Sequence, residues 1–494
     1  MQLQVNRNNA PPARFVGRAE SEAWWRRRTP AGPARGEAWG LGMTDAAARA
    51  GRDGGLSQAI LAIALPAMLT NVATALFGLA DMWVIGRLGD ATAQGGVEVG
   101  TKLLTTLLVV FNFLRSSTVA LTAQAAGRGE EDTQAEVLVR ALFVALAIAG
   151  LLLAAMPWVV GAGFDILGAG GPIRATAGAY VAIRYWSAAP WLFGAVLTGW
   201  LVGRRRVRAV LAVEVGSNIV HVCLDLSLVL GLGLGVAGVA TATLVSETLK
   251  FAALAVIAAR EAPARRALAA ARHRATWAAG EIGALLRLNR DLFARTVLLM
   301  TAVTLLTRAG ARQGAVVLSA NAIMYQLFML SALMLDGFES AAQVLCGEAL
   351  GAGDRLGFER LVRAIMAWGV GFALAITAVY ALAGGPLATT FSTAPDVIAT
   401  VLRYRWWAAA LPVAGVASFV LDGVFIGASW TRAMMLTMAV ALAGYVALLW
   451  LGRGLGNDGL WLAYLSFFLF RAAGQAVALP GLARRSFQTR GSEA

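Results

Sequence analysis

Apolar stretches recur along the chain, and polar segments rich in glycine, proline or arginine separate them. Most of the stretches reach about 20 residues, the length at which an α-helix crosses a bilayer. The alternation over about 10 residues that marks a membrane β-barrel is absent. The pattern therefore predicts twelve membrane helices, at about 56–86, 97–126, 136–160, 176–202, 207–232, 236–260, 286–307, 314–347, 360–384, 396–427, 431–452 and 458–481.

The grouping of these helices predicts how the chain is divided. We expect a disordered cytoplasmic tail at 1–55, an N-lobe of six helices at 56–260, a basic cytoplasmic linker at 261–285, a C-lobe of six helices at 286–481 and a cytoplasmic tail at 482–494. Hydrophobic residues make up 58% of the chain and charged residues 14%, whereas soluble domains carry about 25% charged residues. The composition therefore favours an all-α, polytopic membrane protein.

The net charge of +14 comes almost entirely from arginine, because Lys102 and Lys250 are the only lysines. A basic balance can indicate nucleic-acid binding, but here the arginines cluster in short connections between apolar stretches. Beyond residue 55, alternate connections and the C-terminal tail place 15 basic residues on one side of the membrane and 5 on the other. The first side is therefore expected to be cytoplasmic, with both termini on it, and no nucleic-acid partner is expected.

A repeat with a constant offset of 224 residues links the two halves of the chain. The matched segments are Gln124–Gly129 with Glu348–Gly353, Gly203–Arg208 with Gly427–Arg432, and Gly235 with Gly459. One register held across six helices predicts a duplicated six-helix unit, with the two lobes related by a pseudo-twofold axis along the membrane normal. Chance agreement among glycine-rich loops is the alternative.

Two carboxylates lie within the predicted membrane thickness of the first half. Asp81 is the only charged residue between Asp53 and Arg87, and Asp225 lies six residues before Gly231. At 1.5 Å per residue, both lie about 9 Å inside the outer boundary. An ionised side chain at such depth costs at least ~2.5–3.5 kcal/mol unless it is paired, hydrated or protonated. We therefore predict that the two acids carry the coupling proton of a transporter, the alternative being two structural acids.

Two further residues on the same helices bear on this hypothesis. His221 lies four residues before Asp225 and so shares its helical face; it is either a second titrating group or a satisfied polar residue. Pro66 is either a hinge in the first helix or a static kink. Leu305 and Leu449 occupy the places of the two acids in the second half, so we expect the cation site in the first half alone.

Other kinds of chemistry have no support in the sequence. Cys223 and Cys346 lie in apolar stretches and define no disulfide framework or metal cluster. The glycine-rich segment Gly231–Gly238 lacks a surrounding βαβ pattern and is expected to be a tight turn. We expect no enzymatic activity and no bound metal. Three deeper charges need buried partners that the sequence does not name, namely Arg115, Glu247 and Arg471.

Several stretches spread over roughly 56–480 resemble the multidrug and toxic-compound extrusion (MATE) family, in particular its DNA-damage-inducible (DinF-like) branch. They are LPAMLTN…FGLADMWVIGRLGD, FNFLRSSTVALTAQAAG, NIVHVCLDLSLVLGLGLGVAGVATATLVSE, LLRLNRDLFARTV, LSANAIMYQLFMLSALMLDGFESAAQVLCGEALGAGDR and FVLDGVFIGA. The resemblance implies two six-helix lobes around a central cavity. It also implies export of amphipathic, often cationic compounds against proton or sodium entry.

The resemblance assigns expected roles to individual residues. It implies that Asp81 and Asp225 line the N-lobe cavity and that Pro66 kinks the first helix. The chain departs from its relatives at His221, where many carry Asn, and at Gln343, where many carry Glu. We expect residues of the substrate cavity at Phe77, Asn218, Asp336, Glu339 and Asp422.

We therefore expect a secondary exporter in a bacterial plasma (inner) membrane. It is expected to be driven by protons and to export amphipathic or cationic small molecules. Apart from the proton gradient, no cofactor is expected, and the protein is expected to be a monomer within the lipid bilayer. A sodium-coupled exporter of the same fold is the first alternative. A flippase for a lipid-linked precursor is the second, and the cavity acids disfavour it because a diphosphate would need a cationic cavity.

Overall fold

The computed structural model describes residues 53–87 and 89–491, and the side chains of 55–75, 81–87 and 89–488. Within these residues the chain is almost entirely helical and contains no β-strand. The predicted tail at 1–55 lies almost wholly outside the described residues, and so does the side chain of Phe77.

The first six helices of the described chain alternate in direction and have short connections. They are α1 (Asp53–Gly86), α2 (Ala91–Val109 and Phe113–Gly127, joined by the 3-10 turn Val110–Asn112), α3 (Glu131–Ile166), α4 (Gly171–Arg184 and Ala188–Gly203, joined by the 3-10 turn Tyr185–Ser187), α5 (Val207–Asp225, continued by the π-helical turn Leu226–Gly231) and α6 (Gly235–Arg260).

The second half repeats this order. Two short helices, Ala262–Arg265 and Ala267–Arg272, and the 3-10 turn Arg274–Trp277 precede it. Its helices are α7 (Ala279–Ala311), α8 (Ala315–Gly351), α9 (Arg355–Phe391), α10 (Pro395–Gly427), α11 (Thr431–Leu451) and α12 (Gly456–Gly491), with the 3-10 turn Gly452–Leu455 between the last two.

Length and composition make ten helical stretches of the described chain suitable for crossing a membrane. One of them, Thr431–Gln488, contains both α11 and α12. Helix α4, whose two segments have 14 and 16 residues, is not among the ten. With α4 included and α11 and α12 counted separately, the described residues contain the twelve long helices that the hydrophobic pattern predicts.

The helix ends differ from the predicted ones where polar residues belong to helices. Helix α7 begins at Ala279, inside the segment 261–285 expected to be a linker, because Gly280, Glu281 and Gly283 interrupt the apolar pattern without interrupting the helix. Helix α12 likewise continues to Gly491 through the expected tail. Charged residues beyond the membrane thickness are compatible with helix and hide its true length from a hydropathy pattern.

The contacts between α2 and α8 reveal the repeat in three dimensions. A Cβ atom on Gly127 would lie 2.1 Å from the carbonyl oxygen of Glu348, and a Cβ atom on Gly351 would lie 2.2 Å from that of Gln124. Adding 224 to the number of Gly127 gives Gly351, and subtracting 224 from that of Glu348 gives Gln124. The repeat therefore converts the first contact into the second. Reciprocal contacts of this kind are what a twofold axis between the lobes requires.

The same symmetry extends to the neighbouring loops. Gln124 Nε2 donates to the Gly427 carbonyl at 2.7 Å and to Ser429 Oγ at 2.9 Å. The equivalent Glu348 forms an ion pair with Arg205, which is the equivalent of Ser429. Arg205 and Ser429 both adopt left-handed backbone, with φ of 60° and 59°. These contacts join the two lobes at the end of the helices that is predicted to be cytoplasmic.

Candidate functional site

The predicted acids and the histidine of the N-lobe meet at one place. His221 Nε2 lies 2.7 Å from Asp81 Oδ1 and 3.2 Å from Asp225 Oδ2. One ligand atom from each of the three residues lies within 4.8 Å of the other two. The exposed fraction is 1% for Asp81 and 0% for His221 and Asp225. We call these three residues the N-lobe triad.

The register of two parallel helices brings the triad together. Asp81 on α1 pairs with His221 on α5, and two turns earlier Thr74 Oγ1 donates to Glu214 Oε1 at 2.9 Å. The sequence separation is 140 residues in both pairs. Asn218 also donates from Nδ2 to the Ala73 carbonyl, at 2.6 Å. We call this run of polar contacts the α1–α5 seam.

The α5 side of the seam follows from helical spacing. Glu214, Asn218, His221 and Asp225 are separated by four, three and four residues, so they form one stripe along the helix. The π-helical turn Leu226–Gly231 begins directly after Asp225. Single π-helical turns are frequent at functional sites, because the wider turn displaces the side chains at its edge.

The second nitrogen of His221 determines how protons are arranged in the triad. Nδ1 lies 3.2 Å from Ser246 Oγ, and the Ser246 hydroxyl lies 3.0 Å from the Thr243 carbonyl. If the hydroxyl donates to the carbonyl, Nδ1 must carry a proton and Nε2 needs another to bond the carboxylates. If the hydroxyl donates to Nδ1, then Nε2 of a neutral imidazole carries the proton. In either arrangement one proton lies between Nε2 and the carboxylates.

The hinge residue lies on a continuous helix that contacts the other lobe. Pro66 is inside α1, and the Thr70 hydroxyl donates to its carbonyl at 2.8 Å. One turn further on, Asn71 Nδ2 donates to the Leu333 carbonyl of α8 at 3.1 Å. The segment after Pro66 is therefore attached to the C-lobe, whereas the hinge itself remains a prediction.

One of the predicted cavity residues of the C-lobe, Asp422, lies in a second buried cluster of charges. Asp422 is fully buried and forms ion pairs with Arg295 and Arg471. Gln475 Nε2 donates to Asp422 Oδ1 at 2.6 Å. We call these four residues the C-lobe cluster. Asp422 is thus paired with two guanidinium groups and is fully buried. It therefore does not line an open cavity, contrary to the sequence-based expectation.

The remaining predicted residues are more accessible. Asp336 and Glu339 are half-buried on α8, and Gln343 Nε2 donates to Glu339 Oε1 at 3.0 Å. Asn218 is half-buried, and its Oδ1 has no hydrogen-bond partner among the described residues. Asp336 and Glu339 therefore keep polar atoms that a bound molecule can contact, whereas Asn218 Oδ1 is buried.

Sequence reasoning did not identify several charged neighbours. Arg295 lies at the middle of α7 in sequence, and only the fold brings it to Asp422. Glu247 pairs with Lys250 at 2.9 Å, and Arg471 pairs with Asp422. These are the partners that the sequence does not name. A four-residue stripe that continues from Asp225 back to Glu214 was the one available signal for the seam.

Known proteins resemble the chain in sequence over most of its length. DNA damage-inducible protein F of Escherichia coli (strain K12) is 35% identical over 416 residues, which is 84% of this chain and 90% of that protein. The probable multidrug resistance protein NorM of Rhizobium meliloti (strain 1021) is 27% identical over 334 residues, which is 66% of this chain and 70% of that protein.

Solved structures share the fold. A crystal structure of MATE in the bent conformation superposes with a TM-score of 0.77 at 17% identity, covering 87% of this chain and 97% of that one. A crystal structure of MATE in the straight conformation has the same TM-score at 16% identity and covers 88% and 97%. At such low identity the likeness concerns the fold, which places twelve helices in two lobes.

The MatE family model matches residues 66–227 and 293–450, once in each half of the chain. The two matches together cover well over half of the chain, and the relative from Escherichia coli is similar over nearly its whole length. This chain is a member of the MatE family of multi-pass membrane transporters.

Proposed function

We propose that the protein exports organic compounds in exchange for protons, with the N-lobe triad as the proton site. The observation that carries the proposal is a pair of buried carboxylates that share one imidazole nitrogen, at 2.7 and 3.2 Å. Two carboxylates and one histidine change their net charge by one for each proton bound. A buried site of variable charge is what couples an ion gradient to a conformational change.

The hydrogen bonds of His221 supply the two states. When Ser246 donates to Nδ1, the imidazole is neutral and the triad carries a net charge of −2. When Ser246 donates to the Thr243 carbonyl, the triad holds one more proton and its net charge is −1. The rotation of a single hydroxyl therefore accompanies loading and unloading.

Loading changes the stability of the surroundings. Burying a net charge of −2 away from water costs more free energy than burying a net charge of −1, so the loaded triad tolerates closer packing. The difference in free energy between the two states drives the change in shape, as any population shift requires. Because the segment after Pro66 is hydrogen-bonded to α8 through Asn71, a movement of α1 reaches the C-lobe.

The substrates proposed are amphipathic or cationic small molecules. The half-buried acids Asp336 and Glu339 offer negative charge on α8, and the name of the Rhizobium meliloti relative refers to multidrug resistance. The protein uses no cofactor other than the proton gradient. It acts as a monomer in a bacterial plasma membrane, with both termini in the cytoplasm, in line with the arginine distribution.

The test uses purified protein in vesicles under separate proton and sodium gradients, with a fluorescent cationic dye as substrate. We expect an acidic exterior to drive export and Asp81→Asn to reduce that export by at least about 100-fold. Glu98→Gln, an exposed acid at the outer start of α2, is the control and should export normally. Export by Asp81→Asn with unchanged dependence on the pH gradient would overturn the proposal.

A sodium-coupled exporter is the second candidate, because the three triad side chains lie close enough together to surround a cation. Sodium prefers several oxygen ligands, as other hard cations do, and a nitrogen atom of His221 takes one of the three places. A sodium gradient that drives export at equal pH on both sides would favour this candidate.

A further inference from the structure

A third buried cluster of ionisable groups lies on the α1–α5 seam, and the mechanism above does not use it. Lys250 Nζ on α6 lies 2.9 Å from Glu247 Oε1 and 3.8 Å from Glu214 Oε2. Glu214 also accepts a hydrogen bond from Thr74 on α1. We call Glu214, Glu247 and Lys250 the inner cluster.

The inner cluster is aligned with the triad along the helix axis. Glu214 precedes His221 by seven residues, which is two turns on the same face of α5. At 1.5 Å per residue the two positions are about 10 Å apart. The displacement runs toward the end of α5 that is predicted to be cytoplasmic. A proton that leaves the triad toward this end would therefore pass the inner cluster.

The charges of the inner cluster do not balance. Among the described side chains, Lys250 is the only cation within 4.0 Å of either carboxylate. The three side chains are only 10–14% exposed, and Glu247 Oε2 is fully buried without a hydrogen-bond partner among the described residues. A buried, unpaired carboxylate oxygen is costly, and a proton on it would remove that cost.

Polar atoms line the distance between the two clusters. Ser246, whose hydroxyl contacts His221 Nδ1 at 3.2 Å, directly precedes Glu247 on α6. Ser217 Oγ donates to the Ser246 carbonyl at 3.4 Å. Asn218 Oδ1, which is buried and has no hydrogen-bond partner within the described part of the chain, lies on the stripe between Glu214 and His221. These groups place polar atoms on α5 and α6 between the triad and the inner cluster.

We propose that the inner cluster is a second proton site, which takes up the proton that leaves the triad and releases it to the cytoplasm. This inference rests on the proposed function. The proton leaves Nδ1 of the imidazolium, moves past the polar atoms of Ser246 and Asn218, and binds Glu247 Oε2. The imidazole is then neutral, Glu247 is a neutral carboxylic acid, and Lys250 is paired with Glu214. Loss of the proton to cytoplasmic water restores the Glu247 carboxylate and its pair with Lys250.

The test measures proton release at the cytoplasmic face of inverted vesicles while dye is transported into an acidic lumen. We expect Glu247→Gln to slow proton release and dye transport together by at least about tenfold. The number of protons per dye molecule should not change, because the triad sets it. Glu247→Asp keeps a carboxylate and should recover part of the rate. Glu98→Gln is the matched control, since it removes an exposed acid outside the seam.

A purely structural role predicts a different result for the triple variant Glu214→Gln/Glu247→Gln/Lys250→Met. Removing all three charged groups leaves none of them as an unpaired buried charge, so a structural role predicts that the rate returns to normal. The proposal predicts that the triple variant stays slow, and this variant also carries the test if Glu247→Gln alone does not fold. A normal rate in either variant would overturn the second proton site. Proton coupling that survives in Asp81→Asn would instead overturn the proposed function.

Discussion

The two lobes share one backbone arrangement but place different basic groups beside their buried acids. In the N-lobe, His221 lies between Asp81 and Asp225. In the C-lobe, Asp422 lies between Arg295 and Arg471. Imidazole gains and loses a proton near neutral pH, whereas guanidinium is always charged in proteins. The N-lobe triad can therefore exchange a proton, and the C-lobe cluster has a fixed charge.

The repeat shows how this difference arose at equivalent positions. Glu247 of the inner cluster corresponds to Arg471 of the C-lobe cluster, and Arg115 on α2 corresponds to Glu339 on α8, at the same offset of 224. The reciprocal glycine contacts between α2 and α8 are preserved. Backbone packing thus retains the duplication, while exchanges of charge give the lobes separate roles. The C-lobe is expected to serve as the rigid half.

The largest effect is expected where fixed charges are left unpaired. Asp422→Asn leaves Arg295 and Arg471 buried without an anion, so we expect it to destabilise the protein by about 3–5 kcal/mol. Asp81→Asn should leave stability nearly unchanged, because His221 can become neutral. The thermal unfolding midpoints of both variants in detergent decide the matter. Equal midpoints would mean that the two clusters do not differ as described.

The next effect sharpens the comparison from the N-lobe side. His221→Asn keeps a polar side chain on the seam but removes the only group of the triad that ordinarily titrates near neutral pH. We expect the pH profile of export to move toward acid and the rate with a neutral exterior to fall about tenfold. Transport rates over a series of exterior pH values provide the measurement. An unchanged profile would show that His221 is only a structural substitute for asparagine.

The smallest effect concerns the ends of the lobes that are predicted to be cytoplasmic, beyond the membrane-spanning segments. In the N-lobe, Glu261 pairs with Arg204 at 3.0 Å and Arg206 at 2.7 Å. The equivalent of Arg206 in the C-lobe is Trp430, which packs edge-to-face on Phe358 and Phe425. Burial alone would raise the pKa of Glu261, but hydrogen bonds and charge from the two arginines outweigh it and hold the pKa below its usual value.

A lowered pKa in the folded protein gives the sign of the pH dependence. The Glu261 pairs stabilise fully above the pKa of the unfolded chain, and that contribution is lost as pH falls through the lower folded pKa. Because the group is close to water, Glu261→Gln should cost no more than about 1 kcal/mol at neutral pH. The cost should vanish in strongly acidic buffer, and unfolding midpoints at the two pH values test this. A Trp430→Phe variant, which changes no charge, should show no such pH dependence.

Much of the site was predictable because it follows from helical spacing. Asp81, His221 and Asp225 stand out as polar residues in apolar stretches, and the four-residue spacing of the last two places them on one face. The pairing of Asp422 was not predictable, since Arg295 and Arg471 lie 127 and 49 residues away from it. Neither distance corresponds to a helical period. The extended start of α7 and the extended end of α12 were missed for the related reason that polar residues also form helices.

The order of apolar and polar residues by itself determined the number of helices, the twofold repeat and the presence of buried acids in the first half. Each of these depends on local spacing or on the cost of placing charge in lipid, and both can be read along a single chain. Only the tertiary structure decided which cation neutralises which acid. Side-chain pairing between helices depends on their mutual register and rotation, such as the constant separation of 140 residues between α1 and α5. That register is set by packing across the whole lobe, and so no single stretch of the sequence contains it.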